Sequence, residues 1–475
     1  MKKIKIFFVA LLAFGACKKD ITTLNDPTKK PAVVPAGTLF AYATKSYSDA
    51  ITSTSVNTNV FRFVVGHWAM TTYQDELQYD FNTREIPKTW WTIMYRDVLQ
   101  NLTKSAGFIN SDPLMEPGVK VNKLAILDIM QVVAYSTLVN TFGNVPYSKA
   151  LDENNLFPVY DDAKTISLDL IKRLNADIAQ LNTNNKGFTA TEDLIYLGDI
   201  AKWIKFANSL RMQQAMILAD ADHETAKAGV EASDAGAISV AADNASFAYL
   251  AGAPNQNPLY VDIVTGGRGD YVAANDLLNK LKTLSDPRLR LYYSPNSDGV
   301  FVGGISGAGN SLKAISNPNP ILYAANAPTL FMDYAETEFF RAEAVERGYA
   351  VSGTAEEHYN NAITASIIYW GGTTADAATY LKNASVAYQT AAGTWREKIG
   401  VQKWIALYNR PFNGWTELRR FDYPKITPPV GAKSGFPVRL NYPTNEQQLN
   451  GANYTAAAAA IGGDVVTTKL FWDKF

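Results

Sequence analysis

The sequence of 475 residues contains a single cysteine, Cys17. One thiol has no partner within its own chain, so no intramolecular disulfide can hold the fold together. Stability must come from burial of apolar side chains, and a chain of this length with 47% hydrophobic residues can form a large core. We therefore expect the stability of the folded protein to be independent of redox conditions.

The segment before Cys17 has the pattern of an export signal. Three lysines occur in the first five residues, and residues 6–16 form an uninterrupted apolar run. This run is too short to cross a bilayer, which needs roughly 18 or more apolar residues. The string LAFGAC resembles the lipobox of bacterial lipoproteins, in which the thiol is acylated before cleavage. We predict that residues 1–16 are removed and that Cys17 becomes a lipidated N-terminus carrying, for example, palmitate; the alternative is a cysteine that follows an ordinary signal peptide.

The charge balance argues against a nucleic acid partner. The chain has 44 basic and 45 acidic residues, and three of the basic ones lie in the signal segment. The exported part thus carries a small negative charge, with no basic excess to attract phosphates.

Residues 17–37 are polar and contain three prolines at intervals of four, which predicts an extended tether. We expect residues 38–475 to form one domain. Apolar residues at helical spacing predict long helices over residues 121–142, 163–181 and about 203–217.

A second helical block is predicted farther along the chain. Leu330–Arg347 and Thr354–Trp370 read as two helices, each followed by glycine, and their short connection makes them an antiparallel hairpin. Such pairs are typical of tetratricopeptide arrays, although no strict 34-residue period is present. Turn-forming strings dominate residues 243–328, and residues 411–445 are proline-rich and irregular. The prediction is an all-α, tetratricopeptide-like scaffold with a loop-rich insertion at about 243–328.

Motifs for catalysis, metals and cofactors are lacking in the sequence. The histidines, His67, His223 and His358, stand far apart without ligand spacing, so no metal site is predicted. The string GISGA at residues 304–308 lacks the final glycine of a nucleophile elbow, and neither a dinucleotide fingerprint nor a P-loop occurs. We therefore predict neither a cofactor nor a catalytic residue.

Paired carboxylates are the one catalytic chemistry that sequence alone leaves open, because a glycosidase needs only two of them. Glu336 and Glu338 belong to a helical pattern in which Arg341 and nearby acidic residues are better explained as structural ion pairs. Asp75, next to Glu76, lies instead among aromatic rings and amides.

Rings beside amides and carboxylates are the groups that a sugar or peptide site uses, because rings give contact area and polar groups orient the ligand. Two segments, residues 68–79 and 255–271, combine them outside any helical stripe. We hypothesise that the two segments meet on one surface; the alternative for the first is a structural or partner-binding role. The predicted ligand-binding residues are Trp68, Tyr73, Gln74, Asp75, Tyr79, Asn257, Tyr260, Arg268 and Asp270.

Several strings in order resemble the SusD/RagB family of nutrient-binding outer-membrane lipoproteins, in its SusD-like branch. They are the lipobox, TFGNVPYSKA at 141–150, DLIYLGDIAKWIKFANSLRMQQAM at 193–216, WTELRRFDYP at 415–424, FPVRLNYPTNEQ at 436–447 and FWDKF at 471–475. The sequence departs from the family pattern at Asn140 and Thr141, where an aspartate is often found. It also departs within the string at 193–216, where Gln213 or Gln214 replaces the family's last arginine.

The resemblance implies a helical fold without enzymatic activity, anchored by its lipid to the outer membrane and exposed at the cell surface. It also implies a partner, a TonB-dependent, SusC-like transporter barrel, to which the protein delivers oligosaccharides. Oligopeptides remain an alternative ligand. A surface glycosidase or peptidase and a purely structural scaffold remain the rival classes.

Residues that carry the resemblance are expected to be architectural, with Arg419 and Arg420 in charge-paired structural contacts. These residues are Trp203, Asn208, Trp404, Trp415, Arg419, Arg420, Tyr442 and Trp472.

Overall fold

The computed structural model describes residues 34–475. The predicted signal segment, the lipidation of Cys17 and most of the predicted tether lie outside the described residues. The first helix of the described residues begins at Ala36, one residue before the predicted end of the tether.

The described chain is mainly helical. The longer helices are α1 (Ala36–Thr52), α4 (Ile86–Thr92), α5 (Gln100–Ser111), α6 (Pro117–Phe142), α7 (Ala163–Gln180), α8 (Ile200–Ile217), α9 (His223–Ser233), α11 (Asn275–Thr283), α13 (Tyr334–Glu346), α14 (Ala355–Tyr369), α15 (Thr374–Leu381), α16 (Trp395–Ala406), α17 (Pro411–Phe421) and α19 (Gly451–Ala460). Short helices are α2 (Phe61–Val64), α3 (Gln74–Leu77), α10 (Pro258–Tyr260), α12 (Leu289–Tyr292) and α18 (Glu446–Leu449), and a π-helical segment, Ile93–Leu99, joins α4 to α5.

Strands are short and form two-stranded antiparallel sheets in the described part of the chain. The pairs are β1 (Trp68–Met70) with β5 (Tyr271–Ala273), β2 (Val145–Pro146) with β3 (Tyr160–Asp161), β4 (Ala245–Phe247) with β8 (Thr329–Met332), and β6 (Tyr293–Ser294) with β7 (Asn317–Pro318). The β1–β5 and β4–β8 sheets tie the loop-rich insertion to the helical scaffold.

Helix α6 packs on three neighbouring helices, α5, α7 and α8. The Glu116 carboxylate accepts hydrogen bonds from the first backbone N–H groups of the helix, and Gly143, at φ 87°, ends it. Among the described helices, α6 alone is long and apolar enough to cross a bilayer, but 83% of its most apolar stretch is buried in the protein. Its hydrophobicity is thus that of a core helix.

The predicted hairpin is confirmed as α13 and α14, which pack against each other along their length. Thr354 and Glu357 form a reciprocal capping box at the start of α14, and Gly348, at φ 75°, follows α13. The sequence placed the first helix too early. Leu330 belongs to strand β8, because its backbone pairs with Ser246, and the helix begins at Tyr334.

The prediction of irregular structure over residues 411–445 is wrong for its first part. Pro411 occupies the first turn of helix α17, where proline is tolerated because no intrahelical N–H bond is lost there. Helix α17 packs on α16 and carries Arg420, which forms buried ion pairs with Glu343 and Glu417. Arg420 is therefore charge-paired, as predicted.

Arg419 differs from the prediction, because its guanidinium forms no ion pair in the described chain. It donates to backbone carbonyls, those of Asn140 and Val438 each at 2.8 Å, and stacks on the Trp415 ring, with its carbon 3.6 Å from the centroid. Burial lowers its pKa to about 9, with Asp473 opposing the shift. The residues predicted to be architectural are all buried: Trp203, Asn208, Trp404, Trp415, Arg419, Arg420, Tyr442 and Trp472.

The scaffold of helical pairs with a loop-rich elaboration is confirmed. The insertion contains more regular structure than its turn-forming sequence suggests, including the nine-residue helix α11. Leu277, Leu278 and Leu281 of α11 are buried, so the insertion contributes to the same core as the helices.

Candidate functional site

The two segments predicted to form a binding surface do meet. Strand β1 runs antiparallel to β5, with Met70 opposite Tyr271. Just beyond the paired residues, the Thr71 N–H donates to the backbone carbonyl of Asp270 at 2.9 Å, and the Thr72 hydroxyl donates to the Asp270 carboxylate at 3.0 Å. The ends of the two segments thus lie side by side.

Tyr73 projects from this junction with 49% of its surface exposed. Its backbone is left-handed, at φ 55°, and it immediately precedes helix α3. Two guanidinium groups flank the ring, with the carbon of Arg84 5.1 Å and that of Arg268 5.5 Å from the ring centroid. Such cation–π contacts hold an exposed ring in place while leaving part of it open to solvent.

Each arginine is fixed by a carboxylate. Arg268 forms a two-point contact with Asp270, at 3.1 Å from Nε and 2.8 Å from the terminal nitrogen. Arg84 pairs with Glu76, whose side chain is fully buried. Burial raises the pKa of Glu76, and Arg84 acts against that shift. The two cations that flank Tyr73 are therefore held by carboxylates of the protein itself.

Trp68 was predicted to contact a ligand, and the structure corrects this. Its ring is 0% exposed, its indole N–H donates to the Tyr408 hydroxyl at 2.8 Å, and it packs against Tyr271 and the Arg62 guanidinium. As part of β1, Trp68 is buried under the β1–β5 pair, so a ligand cannot stack on it.

Asn257 and Tyr79 are corrected in the same way. Asn257 is buried; its amide donates to the Ala327 carbonyl at 2.7 Å and accepts from the Leu259 N–H at 2.8 Å, which caps helix α10. Tyr79 is buried against Phe81 and Phe436. Both side chains pack inside the protein and do not face solvent.

The other predicted residues lie at or near the surface. Asp75 is exposed, while Gln74 and Tyr260 are partly buried. The Gln74 amide donates to the Met70 carbonyl at 3.2 Å, and its oxygen is buried without a hydrogen-bond partner among residues 34–475. We name the group formed by Thr72, Tyr73, Gln74, Asp75, Arg84, Arg268 and Asp270 the Tyr73 surface.

The prediction from sequence did not include three residues of this region: Thr72, Arg84 and Asp262. One oxygen of Asp262 is buried without a hydrogen-bond partner in the described chain. Burial raises its pKa, Arg268 lowers it and Asp270 raises it. Arg84 lies eight residues beyond Glu76 with no motif around it, so nothing in the sequence marked its contact with Tyr73.

Two loops border the Tyr73 surface. The Asn310 amide donates to the Met70 carbonyl at 2.9 Å, and the Gln78 amide donates to the Gly307 carbonyl at 3.2 Å. Gly307, at φ 76°, lies so close to the Val430 carbonyl that a Cβ there would clash with it. The loop around Gly307 thus bridges the Tyr73 surface to the segment around Val430.

The groups on the Tyr73 surface suit binding better than acid–base chemistry. The Asp270 carboxylate is engaged by Arg268 and Thr72, and Glu76 is buried beneath the surface. None of the described histidines belongs to it: burial and the Arg62 charge lower the pKa of the core residue His67 to about 3, while His223 contacts Tyr349 and His358 pairs with Glu338. Over residues 34–475, no group of three or more His, Cys, Asp or Glu side chains is arranged to hold a metal ion.

Comparison with known proteins gives one family match. The model of a SusD-like family, described as starch-binding and associating with the outer membrane, matches residues 28–443. No protein with a curated description matches the sequence.

Solved structures resemble the fold over nearly its whole length. A chitin-binding protein is 25% identical, with a TM-score of 0.79, covering 93% of this chain and 100% of its own. A chitin-binding SusD homolog from Flavobacterium johnsoniae is 23% identical, with a TM-score of 0.77 and coverages of 93% and 97%. A SusD homolog from Bacteroides uniformis is 24% identical, with a TM-score of 0.77 and coverages of 92% and 99%.

Proposed function

The chain belongs to the SusD-like family, and on that premise we propose that it is a cell-surface glycan-binding lipoprotein of the outer membrane, with the Tyr73 surface as its binding site. The observation that carries the proposal is the half-exposed Tyr73 ring held between two anchored guanidinium groups. A fixed aromatic face offers contact area to the C–H face of a sugar ring, and it loses little conformational freedom when the sugar binds.

The polar groups around Tyr73 support an oligosaccharide as the ligand. Asp75 offers an exposed carboxylate that accepts hydrogen bonds, and the partly exposed guanidinium groups of Arg84 and Arg268 can donate them. Sugar hydroxyls both donate and accept hydrogen bonds, so they suit a mixed set of this kind. The starch-binding description of the family and the chitin-binding names of two structural relatives point to the same ligand class.

The proposal assigns the protein no catalytic role. Carboxylates near Tyr73 are engaged in ion pairs or, for Asp75, exposed without a hydrogen-bond or ion-pair partner among residues 34–475. A glycosidase needs a carboxylic acid and a second carboxylate facing one bond across a cleft. A binding protein needs neither.

We propose that the protein captures the glycan at the cell surface and delivers it to a TonB-dependent, SusC-like transporter. This part rests on the family resemblance and on the lipobox at Cys17. A lipid on Cys17 would hold the protein at the membrane, and the helical scaffold would face the barrel while the loop-rich side met the ligand.

The experiment is isothermal titration calorimetry on the mature chain with Cys17 replaced by serine. The probes are N-acetylated chitohexaose, maltoheptaose and a mixture of hexapeptides. Binding of either oligosaccharide supports the proposal. Binding of the peptides alone would move the assignment to oligopeptides, and hydrolysis of any probe during the titration would replace it with an enzyme.

A further inference from the structure

A groove opens between helix α11, helix α16 and residues 423–427. Its volume is about 470 Å³, and it shares no residue with the Tyr73 surface. This size lies within the range of small-molecule sites in proteins, roughly 300–1,000 Å³.

Four of the polar side chains that line the groove have no hydrogen-bond or ion-pair partner in the described chain. Asn275, Asn279 and Lys280 line it from α11, and Glu397 lines it from α16. Among the hydrogen bonds and ion pairs of residues 34–475, none involves the side-chain polar atoms of these four residues. Unpaired amide, amine and carboxylate groups around one cavity are available to a ligand at no cost in broken protein contacts.

Aromatic and apolar side chains form another part of the lining, and hydrogen bonds anchor it at two points. Trp404 is almost fully buried, and its indole N–H donates to the Val65 carbonyl at 2.9 Å. Tyr423, Val401 and Ile426 complete the apolar lining. The segment that carries Tyr423 and Ile426 is fixed to α11, because the next backbone N–H, that of Thr427, donates to the Asp276 carboxylate at 3.1 Å.

The charges of the groove cancel. Lys280 and Lys425 are its basic residues, and Asp276 and Glu397 are its acidic ones. A neutral groove with both donors and acceptors does not select a phosphate or a strongly charged peptide. It matches a neutral ligand rich in hydroxyl groups, and its apolar wall can contact the C–H face of such a ligand.

One segment of chain connects the groove to Gln78, which lies four residues after Gln74 of the Tyr73 surface. Thr427 is at the groove, and Gly431, four residues on, contacts the Gln78 side chain at the end of α3. Four extended residues span at most about 14 Å. The Lys433 N–H donates to the Gln78 carbonyl at 2.8 Å, which fixes this path.

We propose that the groove of α11, α16 and residues 423–427 is a second glycan subsite, so that one oligosaccharide of several units occupies both the groove and the Tyr73 surface. This rests on the proposed function, since it extends the same ligand to a second site. It assigns Asn279, Lys280 and Glu397 to ligand hydrogen bonding and Tyr423 to contact with a sugar face. Long oligosaccharides are then preferred over short ones.

The test compares long and short ligands by calorimetry on the mature chain with Cys17 replaced by serine. The pairs are N-acetylated chitohexaose with diacetylchitobiose, and maltoheptaose with maltose. The variant is Asn279→Ala with Lys280→Ala, and Glu397→Gln serves as a second variant on the opposite wall. The control is Lys172→Ala, an exposed lysine without an ion pair in the described chain, on helix α7.

We expect both groove variants to bind the long ligand at least about tenfold more weakly, with the disaccharide and the melting temperature unchanged. An equal loss for both lengths, or no loss for the long ligand, would overturn the second subsite while leaving the proposed function intact. If the unaltered chain binds no member of either series, the proposed function fails and the subsite fails with it.

Discussion

The guanidinium carbon of Arg268 lies 5.5 Å from the centroid of the Tyr73 ring, while the same guanidinium forms an ion pair with Asp270. Asp270 immediately precedes strand β5, which pairs with β1. The position of an exposed ring is thus set by a strand that lies some 200 residues away in the sequence. The Tyr73 surface therefore depends on the β1–β5 pair as well as on the loop that carries Tyr73.

Arg268→Ala removes one of the two cations that hold Tyr73. A cation–π contact at an exposed site contributes about 0.5–1 kcal/mol, so we expect oligosaccharide affinity to fall about two- to fivefold by calorimetry. Arg268→Lys is the matched control, because it keeps the charge and loses the two-point contact with Asp270. Unchanged affinity in Arg268→Ala would show that Tyr73 needs no such support.

Trp68→Ala tests whether Trp68 is a core residue and not a ligand contact. Deleting a fully buried indole leaves a cavity and the Tyr408 hydroxyl without its donor, so we expect a loss of about 3–5 kcal/mol in the free energy of unfolding. Denaturant unfolding measures this. Affinity measured well below the melting temperature should stay within a few-fold of the unaltered chain. A variant with full stability and lost binding would restore Trp68 to the site.

Arg420 is predicted to be structural. Arg420→Ala leaves the buried carboxylates of Glu343 and Glu417 without this partner, which costs about 3–5 kcal/mol for buried ion pairs. The exposed Arg96, paired with Asp97, is the control, and Arg96→Ala should change the free energy of unfolding by less than about 1 kcal/mol. Equal effects of the two variants in thermal unfolding would contradict this account.

His358 should make stability depend on pH. Its Nδ1 lies 2.9 Å from the Glu338 carboxylate and its Nε2 2.5 Å from the Ser352 carbonyl. Both partners accept hydrogen bonds, so only the doubly protonated ring can donate to both. Burial acts to lower the pKa of His358, but the bonds to Glu338 and Ser352 prevail and raise it above 6.5.

A raised pKa in the folded state means that this stabilisation is fully present below about pH 6.5 and is lost as the pH rises through the folded-state value. We expect the difference in unfolding free energy between the unaltered chain and His358→Gln to shrink between pH 6 and pH 9. Denaturant unfolding at a series of pH values measures it. A difference that stays constant over this range would mean that the ring is neutral in the folded protein.

Cys17→Ser tests the proposed anchor. The substitution removes the acyl acceptor, and we expect the protein to move from the membrane fraction to the soluble fraction with an unchanged melting temperature. Equal retention in the membrane fraction would contradict lipidation at this residue.

Sequence reasoning succeeded where the signal is local. The spacing of apolar residues located α6, α7 and α8, and glycine marked the ends of α6 and α13. It failed at Leu330, where a strand formed by pairing with a segment some 80 residues earlier displaces the start of the helix.

For the residues around Tyr73, too, local patterns were predicted from the sequence and contacts between distant segments were not. Rings next to amides marked two segments of the chain, and the structure shows that these two segments meet. The sequence could not separate Trp68 from Tyr73, because burial of one and exposure of the other depend on how β1 packs under its distant partner. Arg84 was missed for a related reason, since its contact with Tyr73 is made in space and leaves no motif.

Oligosaccharide binding on the Tyr73 ring is tested most directly by removing that ring. The most direct measurement is calorimetry of Tyr73→Ala with the oligosaccharide that the unaltered chain binds, against Tyr42→Ala, which removes a ring of the same 49% exposure from helix α1. We predict at least about tenfold weaker binding for Tyr73→Ala, about 1.4 kcal/mol, with an unchanged melting temperature and no loss for Tyr42→Ala. Equal affinities for the two variants and the unaltered chain would contradict the claim and place the ligand elsewhere on the protein.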